Sequence, residues 1–153
     1  MEPIVYEGIS GFESHVGEHL GYSDWRQVTQ QEIDLFAEAT GDHQWIHVDP
    51  EKAAKGPYGK TIAHGYLTLS LVPILVQQIY KVTGLSMQVN YGSDKLRFPA
   101  PVPVDSRIRA GAELVKVERN DKGGARATVR VTVEVEGSDR PACVVDTIAA
   151  MVD

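Results

Sequence analysis

Asp42 and His47 stand five residues apart in the run Thr40-Gly41-Asp42-His43-Gln44-Trp45-Ile46-His47, and His64-Gly65 follows at the head of an apolar stretch. A carboxylate and an imidazole that share one water can take a proton from it and deliver one elsewhere. On a helix of 3.6 residues per turn, positions five apart point to different faces, so the two side chains converge only if the chain between them is a loop. Gly41, a residue type that ends helices, supports that loop. A helix start such as that at Gly65 presents free N–H groups and a partial positive charge, which suit an oxygen developing negative charge. One small carbonyl substrate could meet all three groups.

Each of these residues also has a plainer role. An Asp just after a helix-ending Gly commonly caps local backbone N–H groups, and a Gly at a helix start simply permits close packing. His43 and His47 have the i, i+4 spacing of helical zinc ligands, but Gln44-Trp45-Ile46 lacks the glutamate of that motif and Gly41 argues against a helix, so no metal is expected. His43 is read instead as lining or orienting the loop. Trp45 is read as packing, either alone or against the mouth of an acyl pocket, and His64 either adds a donor or packs beneath the loop. Ser70 is read as an internal hydroxyl bonded to a backbone carbonyl.

The run resembles the hydratase signature of the MaoC-like dehydratases, the (R)-specific enoyl-CoA hydratases: Gly-Asp-x-Asn-Pro-aliphatic-His, with Gln44-Trp45 here in place of Asn-Pro. The resemblance continues through Thr61-Ile-Ala-His-Gly-Tyr-Leu-Thr-Leu-Ser70 and Asn90-Tyr-Gly-Ser-Asp-Lys-Leu-Arg-Phe98, looks closest to the NodN-like branch, and runs from about Trp25 to the C-terminus. It implies an α+β hot-dog fold, a curved antiparallel sheet wrapped around a central helix, with residues 1–153 as a single domain. It further implies a hydro-lyase of fatty acid metabolism that reversibly hydrates trans-2-enoyl thioesters to (R)-3-hydroxyacyl thioesters without cofactor or metal. Asp42 and His47 would then be the catalytic pair, the backbone N–H of Gly65 would bind the thioester oxygen, and His64, Trp45, Asn90 and Arg97 would contact substrate. The substrate would be an acyl-CoA or acyl-carrier thioester, and the protein a homodimer or larger. Two other classes stay open: a hot-dog thioesterase, although those generally lack this Asp-x4-His loop, and a non-catalytic acyl-thioester binding subunit.

Bulk properties narrow the field. A chain of 153 residues has room for one domain with a real core. A formal charge of -6 and a pI near 5.3 argue against general binding to nucleic acid or anionic membrane. A phosphate-bearing ligand needs a local basic patch, for which Asn90, Lys95 and Arg97 with Arg107 and Arg109 are candidates. The single cysteine, Cys143, excludes an intrachain disulfide and is read as buried. Met1 to Gly11 shows no signal-peptide pattern, so a cytoplasmic location is expected.

The elements that must position these residues follow from caps and periodicity. Thr29 and Glu32 form a capping box ahead of Ile33, Phe36 and Ala37, which predicts a helix over 30–40 ended by Gly41. Asp49 and Pro50 predict a second, short helix broken at Gly56-Pro57-Tyr58-Gly59. From Ala63 to about Val82 almost no polar stripe remains, which predicts a helix surrounded by protein and stopped by Gly84, with Leu67, Leu71 and Leu75 beside an acyl tail. Beyond Leu85 everything reads as strand: Met87 to Tyr91, Ser106 to Val117, Ala125 to Val135 and Cys143 to Met151, joined by hairpin connections at 120–124 and 137–141.

Overall fold

The computed structural model describes residues 2–153. In chain order its elements are β1 (Ile4–Glu7), α1 (Gly8–Glu13), β2 (His19–Tyr22), β3 (Arg26–Gln27), α2 (Gln30–Thr40), α3 (Trp45–Val48), α4 (Pro50–Ala54), α5 (Gly65–Val76), β4 (Tyr80–Thr83), β5 (Met87–Arg97), β6 (Arg107–Arg119), β7 (Ala125–Val135) and β8 (Cys143–Val152).

Alternation builds the sheet. In β7, Val129, Val131 and Val133 turn to one face and are buried, while Arg130, Thr132 and Glu134 turn to the other. β6 places Ile108, Ala110, Ala112 and Leu114 on the same inner face, and β8 adds Cys143 and Val145. The order is β2-β6-β7-β8-β5, antiparallel throughout, with β3 also on β6. Helix α5 packs on that inner face against β6 and β8, burying Leu67, Val72 and Leu75. A sheet laid on one apolar helix is the α+β hot-dog architecture.

The predicted caps are present. Glu32 N–H donates to Thr29 Oγ1 at 3.3 Å and Thr29 N–H donates to Glu32 Oε1 at 3.1 Å, so both halves of the box are made. Gly41 ends α2 at φ +83°, and its N–H donates to the Ala37 carbonyl. The Asp49 carboxylate accepts Lys52 N–H at 3.1 Å, with Pro50 in the first helical position. Both hairpin connections form, and Cys143 is buried, its thiol pushed up to about pKa 11 by burial.

Three expectations are corrected. The central helix ends at Val76 rather than near Val82, because the chain then turns into β4, which pairs in parallel with β1 through Ile4 and Tyr80. Tyr80 and Val82 carried the apolar pattern onward as strand residues, and periodicity does not separate the two states over so short a run. The helix is also not covered all round within one chain, since Tyr66, Pro73 and Ile74 are exposed. Third, β5 reaches Arg97, well past Tyr91. The amino-terminal elements β1, α1, β2 and β3 carried no strong signal and were not anticipated.

Candidate active site

The segment between Asp42 and His47 is a loop for only part of its length. After Gly41 the chain is irregular through Gln44, then makes the single turn α3, which carries His47 inward. The left-handed Gly41 and this turn together bring residues five apart to one side. Asp42 itself is exposed and His47 is buried.

His47 is held at both ends. Its Nδ1 donates to the Ile62 carbonyl at 2.7 Å, and its own backbone carbonyl accepts from Gln30 Nε2 at 2.8 Å. A carbonyl can only accept, so the proton sits on Nδ1 and Nε2 keeps its lone pair. Burial lowers the pKa of His47 below the ordinary 6.5, and the neighbouring His64 lowers it further, against the opposing pull of the Ile62 carbonyl and Asp42. The ring is therefore a neutral acceptor at neutral pH.

His64, at the cap position of α5, lies almost flat against His47, the ring centroids 3.9 Å apart at 23°. Nitrogen or carboxylate oxygen atoms of Asp42, His47 and His64 all lie within 4.8 Å of one another. Two groups about 2.8 Å from a common water fit within that separation. These are also the residues that would hold a metal; His43, exposed on the loop, is not among them.

A cavity of about 270 Å³ opens beside this group, with His47, Tyr58, Gly65, Thr68, Phe98 and Ala142 in its wall. Gly65 is the first residue of α5, where an N–H has no intrahelical acceptor. The Asp42 carboxylate accepts Gln44 N–H at only 3.4 Å, so the local capping role is weakly filled and its oxygens stay available to a solvent molecule. His47 and the start of α5 at Gly65 thus border one cavity of mixed polar and apolar lining, with the Asp42 carboxylate within 4.8 Å of the His47 ring nitrogen.

The other expected site residues are distributed differently. Trp45 packs on the turn after α4, where a Cβ on Gly56 would stand 3.0 Å from its ring, and Lys52 sits over it at 4.8 Å. Asn90 lines a separate hollow of about 420 Å³ between α5, β4, β5 and β8, which holds none of Asp42, His47, His64 or Gly65. Arg97 is exposed at the end of β5, next to Phe98 of the site cavity. Arg107 and Arg109 do not join Arg97 in one basic patch: β7 and β8 separate their strand from β5, and they pair with Glu136 and Glu134. Leu67 and Leu75 belong to the core, and the helix turns Gly65 and Thr68 to the site instead. Ser70 donates to the Tyr66 carbonyl at 2.6 Å, as expected, but it is exposed rather than internal.

Sequence reasoning missed Gln30. Its Oε1 accepts from Thr61 Oγ1 at 2.5 Å while its Nε2 donates to the His47 carbonyl, joining the first turn of α2 to both chain segments of the site. Nothing local marks a glutamine at the start of a helix for that duty. Phe98, whose ring covers Gly65, was read only as the end of a strand.

The chain matches the family model described as a MaoC like domain over residues 11–138. It is 56% identical to 3-hydroxyacyl-thioester dehydratase Z of Mycobacterium tuberculosis over 148 residues, covering 97% of this chain and 98% of that protein. It is 46% identical to Nodulation protein N of Rhizobium leguminosarum bv. viciae, over 84% of this chain and 81% of that one. Among solved structures, the (R)-hydratase of A. caviae involved in PHA biosynthesis superposes with a TM-score of 0.68 at 27% identity, over 88% of this chain and 94% of that one. The chain belongs to the MaoC-like dehydratase family of hydro-lyases.

Proposed function

We propose that this protein is an (R)-specific hydratase that interconverts trans-2-enoyl thioesters and (R)-3-hydroxyacyl thioesters. The observation that carries the reading is the spacing of the Asp42 carboxylate and the His47 ring, within 4.8 Å, beside a cavity that also receives the start of α5 at Gly65. The family supports the reaction class, and the relatives named as a thioester dehydratase and an (R)-hydratase support the substrate class and the configuration.

In the hydration direction, Asp42 and His47 hold one water between them. His47 Nε2 takes a proton as the hydroxyl oxygen bonds to C3, and the alkene electron pair moves toward the thioester. The resulting enolate-like oxygen accepts the Gly65 N–H, an interaction worth about 2.7–4 kcal/mol where single donors have been removed from such sites. A proton returns from the pair to C2 on the same face, and the enolate collapses to the saturated thioester. The buried, neutral His47 is in the right state to begin this sequence, and no redox partner is needed.

A homodimer is part of the proposal. β5 is an edge strand with one side unpaired, and Met87, Val89 and Tyr91 stand exposed along it, a surface that a second copy would cover. The acyl carrier, coenzyme A or carrier protein, would approach the mouth at Tyr58 and Phe98.

The test is the product. Purified protein given crotonyl-CoA should bleach the conjugated enoyl absorbance, yield a product oxidised by an (R)-specific but not an (S)-specific 3-hydroxyacyl dehydrogenase, and release no free thiol. Thiol release matching substrate loss would make it a thioesterase, and binding without turnover across several chain lengths would make it a binding subunit.

A further inference from the structure

We propose that His64 is a positioning residue for the acid–base pair, pinning the backbone of Asp42 to the head of α5 and so setting the carboxylate against His47. This rests on the hydratase reading above and names a role within it.

His64 is 3% exposed and is not part of the cavity wall. Its Nε2 lies 3.0 Å from the Asp42 carbonyl oxygen, across 22 residues of chain. A carbonyl only accepts, so His64 donates from Nε2, while its Nδ1 is buried without a partner. Leaving a buried nitrogen unpaired is unfavourable, so the ring would not settle in this orientation unless the Asp42 link stabilised it.

Asp42 needs such a link. It follows Gly41 in the left-handed conformation, and its other local bonds, to Thr40 Oγ1 and from Gln44 N–H, are both stretched to 3.4 Å. The His64 contact is the shortest hydrogen bond made by this residue. The donor ring cannot easily turn away, because His47 stacks on it at 3.9 Å and Phe36 packs against it, tilted, at 4.9 Å. Since His64 directly precedes Gly65, the same residue ties the carboxylate to the helix start that supplies the N–H for the substrate oxygen. Misplacing a reacting group by about 1 Å costs about 10²-fold in rate.

Two substitutions separate the hydrogen bond from the packing. His64→Phe keeps a flat ring between Phe36 and His47 but has no donor; His64→Gln loses the stack but places an amide N–H near the Nε2 position. With crotonyl-CoA, His64→Phe should lower kcat by about 10²-fold with little change in KM, and His64→Gln should recover most of that loss. A Phe variant as fast as the parent, or a Gln variant as slow as the Phe variant, overturns the proposal. Parent protein that does not hydrate enoyl thioesters sinks the hydratase reading instead. Nitrogen NMR of the unaltered protein gives an arm that needs no variant to fold: His64 should carry a proton on Nε2, and an Nε2 without a proton overturns the link to Asp42.

Discussion

The ring of Phe98 lies over Gly65 so closely that a Cβ at residue 65 would stand 3.0 Å from two ring carbons. Gly65→Ala would gain helix propensity, by up to about 1 kcal/mol, while forcing the half-exposed Phe98 outward by a few tenths of an ångström. Stability should therefore change by less than about 1 kcal/mol, yet kcat/KM should fall about tenfold or more, since the displaced ring and the new methyl both border the N–H proposed to meet the substrate oxygen. Unchanged kcat/KM in a folded Gly65→Ala protein would show that the close approach of Phe98 to residue 65 does not bear on the reaction.

Asp42→Asn and His47→Ala each delete half of the proposed acid–base pair. Turnover should drop by about 10²–10⁴-fold in either variant, with unaltered circular dichroism. An Asp42→Asn protein that keeps more than about a tenth of the parent turnover would exclude Asp42 from proton transfer.

The pH dependence follows from His47. Burial and His64 depress its pKa below 6.5, so the neutral base persists to lower pH than a free imidazole allows. The acid limb of kcat/KM should lie below pH 6.5, with activity flat through neutrality. In the unfolded chain the same ring protonates near 6.5, so its contribution to stability is complete above that value and declines as the pH falls from there toward the depressed folded pKa. Replacing His47 should flatten that part of the stability profile in thermal melts, and an acid limb above pH 6.5 would contradict the neutral assignment.

Gln30→Ala leaves the Thr61 hydroxyl and the His47 carbonyl without their shared partner. The loss should destabilise the protein by about 1–3 kcal/mol, the cost of unsatisfied buried groups. Turnover should fall as well, because the turn carrying His47 is freed. Denaturant melts and kinetics on one preparation would reveal both effects, and a variant as stable and as fast as the parent would show that Gln30 holds nothing.

The exposed edge of β5 predicts association. Sedimentation at micromolar concentration should give a dimer or larger, and substitution of Val89 by Lys on that edge should shift it toward monomer. A fully active monomer would contradict the proposed subunit boundary.

Several features were legible because they rest on local chemistry. The capping box at Thr29 and Glu32, the stop at Gly41, the Asp49-Pro50 start and the alternation of β7 depend on residues within a few positions of one another, and each fixed an element to within a residue or two. Asp42 and His47 were singled out by type and spacing on the same local grounds, since a short segment between two capped helices leaves the chain few ways to place them. What required the tertiary structure was everything set by distant pairing. Partnership with β1 turned the expected tail of the central helix into β4, and the strand order β6-β7-β8-β5 divided the anticipated basic cluster. Likewise, Gln30, Ile62 and His64 acquire their roles only where α2, the segment before α5 and the loop after Gly41 come together. Sequence fixes which groups can donate, accept or titrate. Which group faces which, and hence that His47 carries its proton on Nδ1 and His64 on Nε2, depends on carbonyls 15 and 22 residues away that only the folded chain brings within reach.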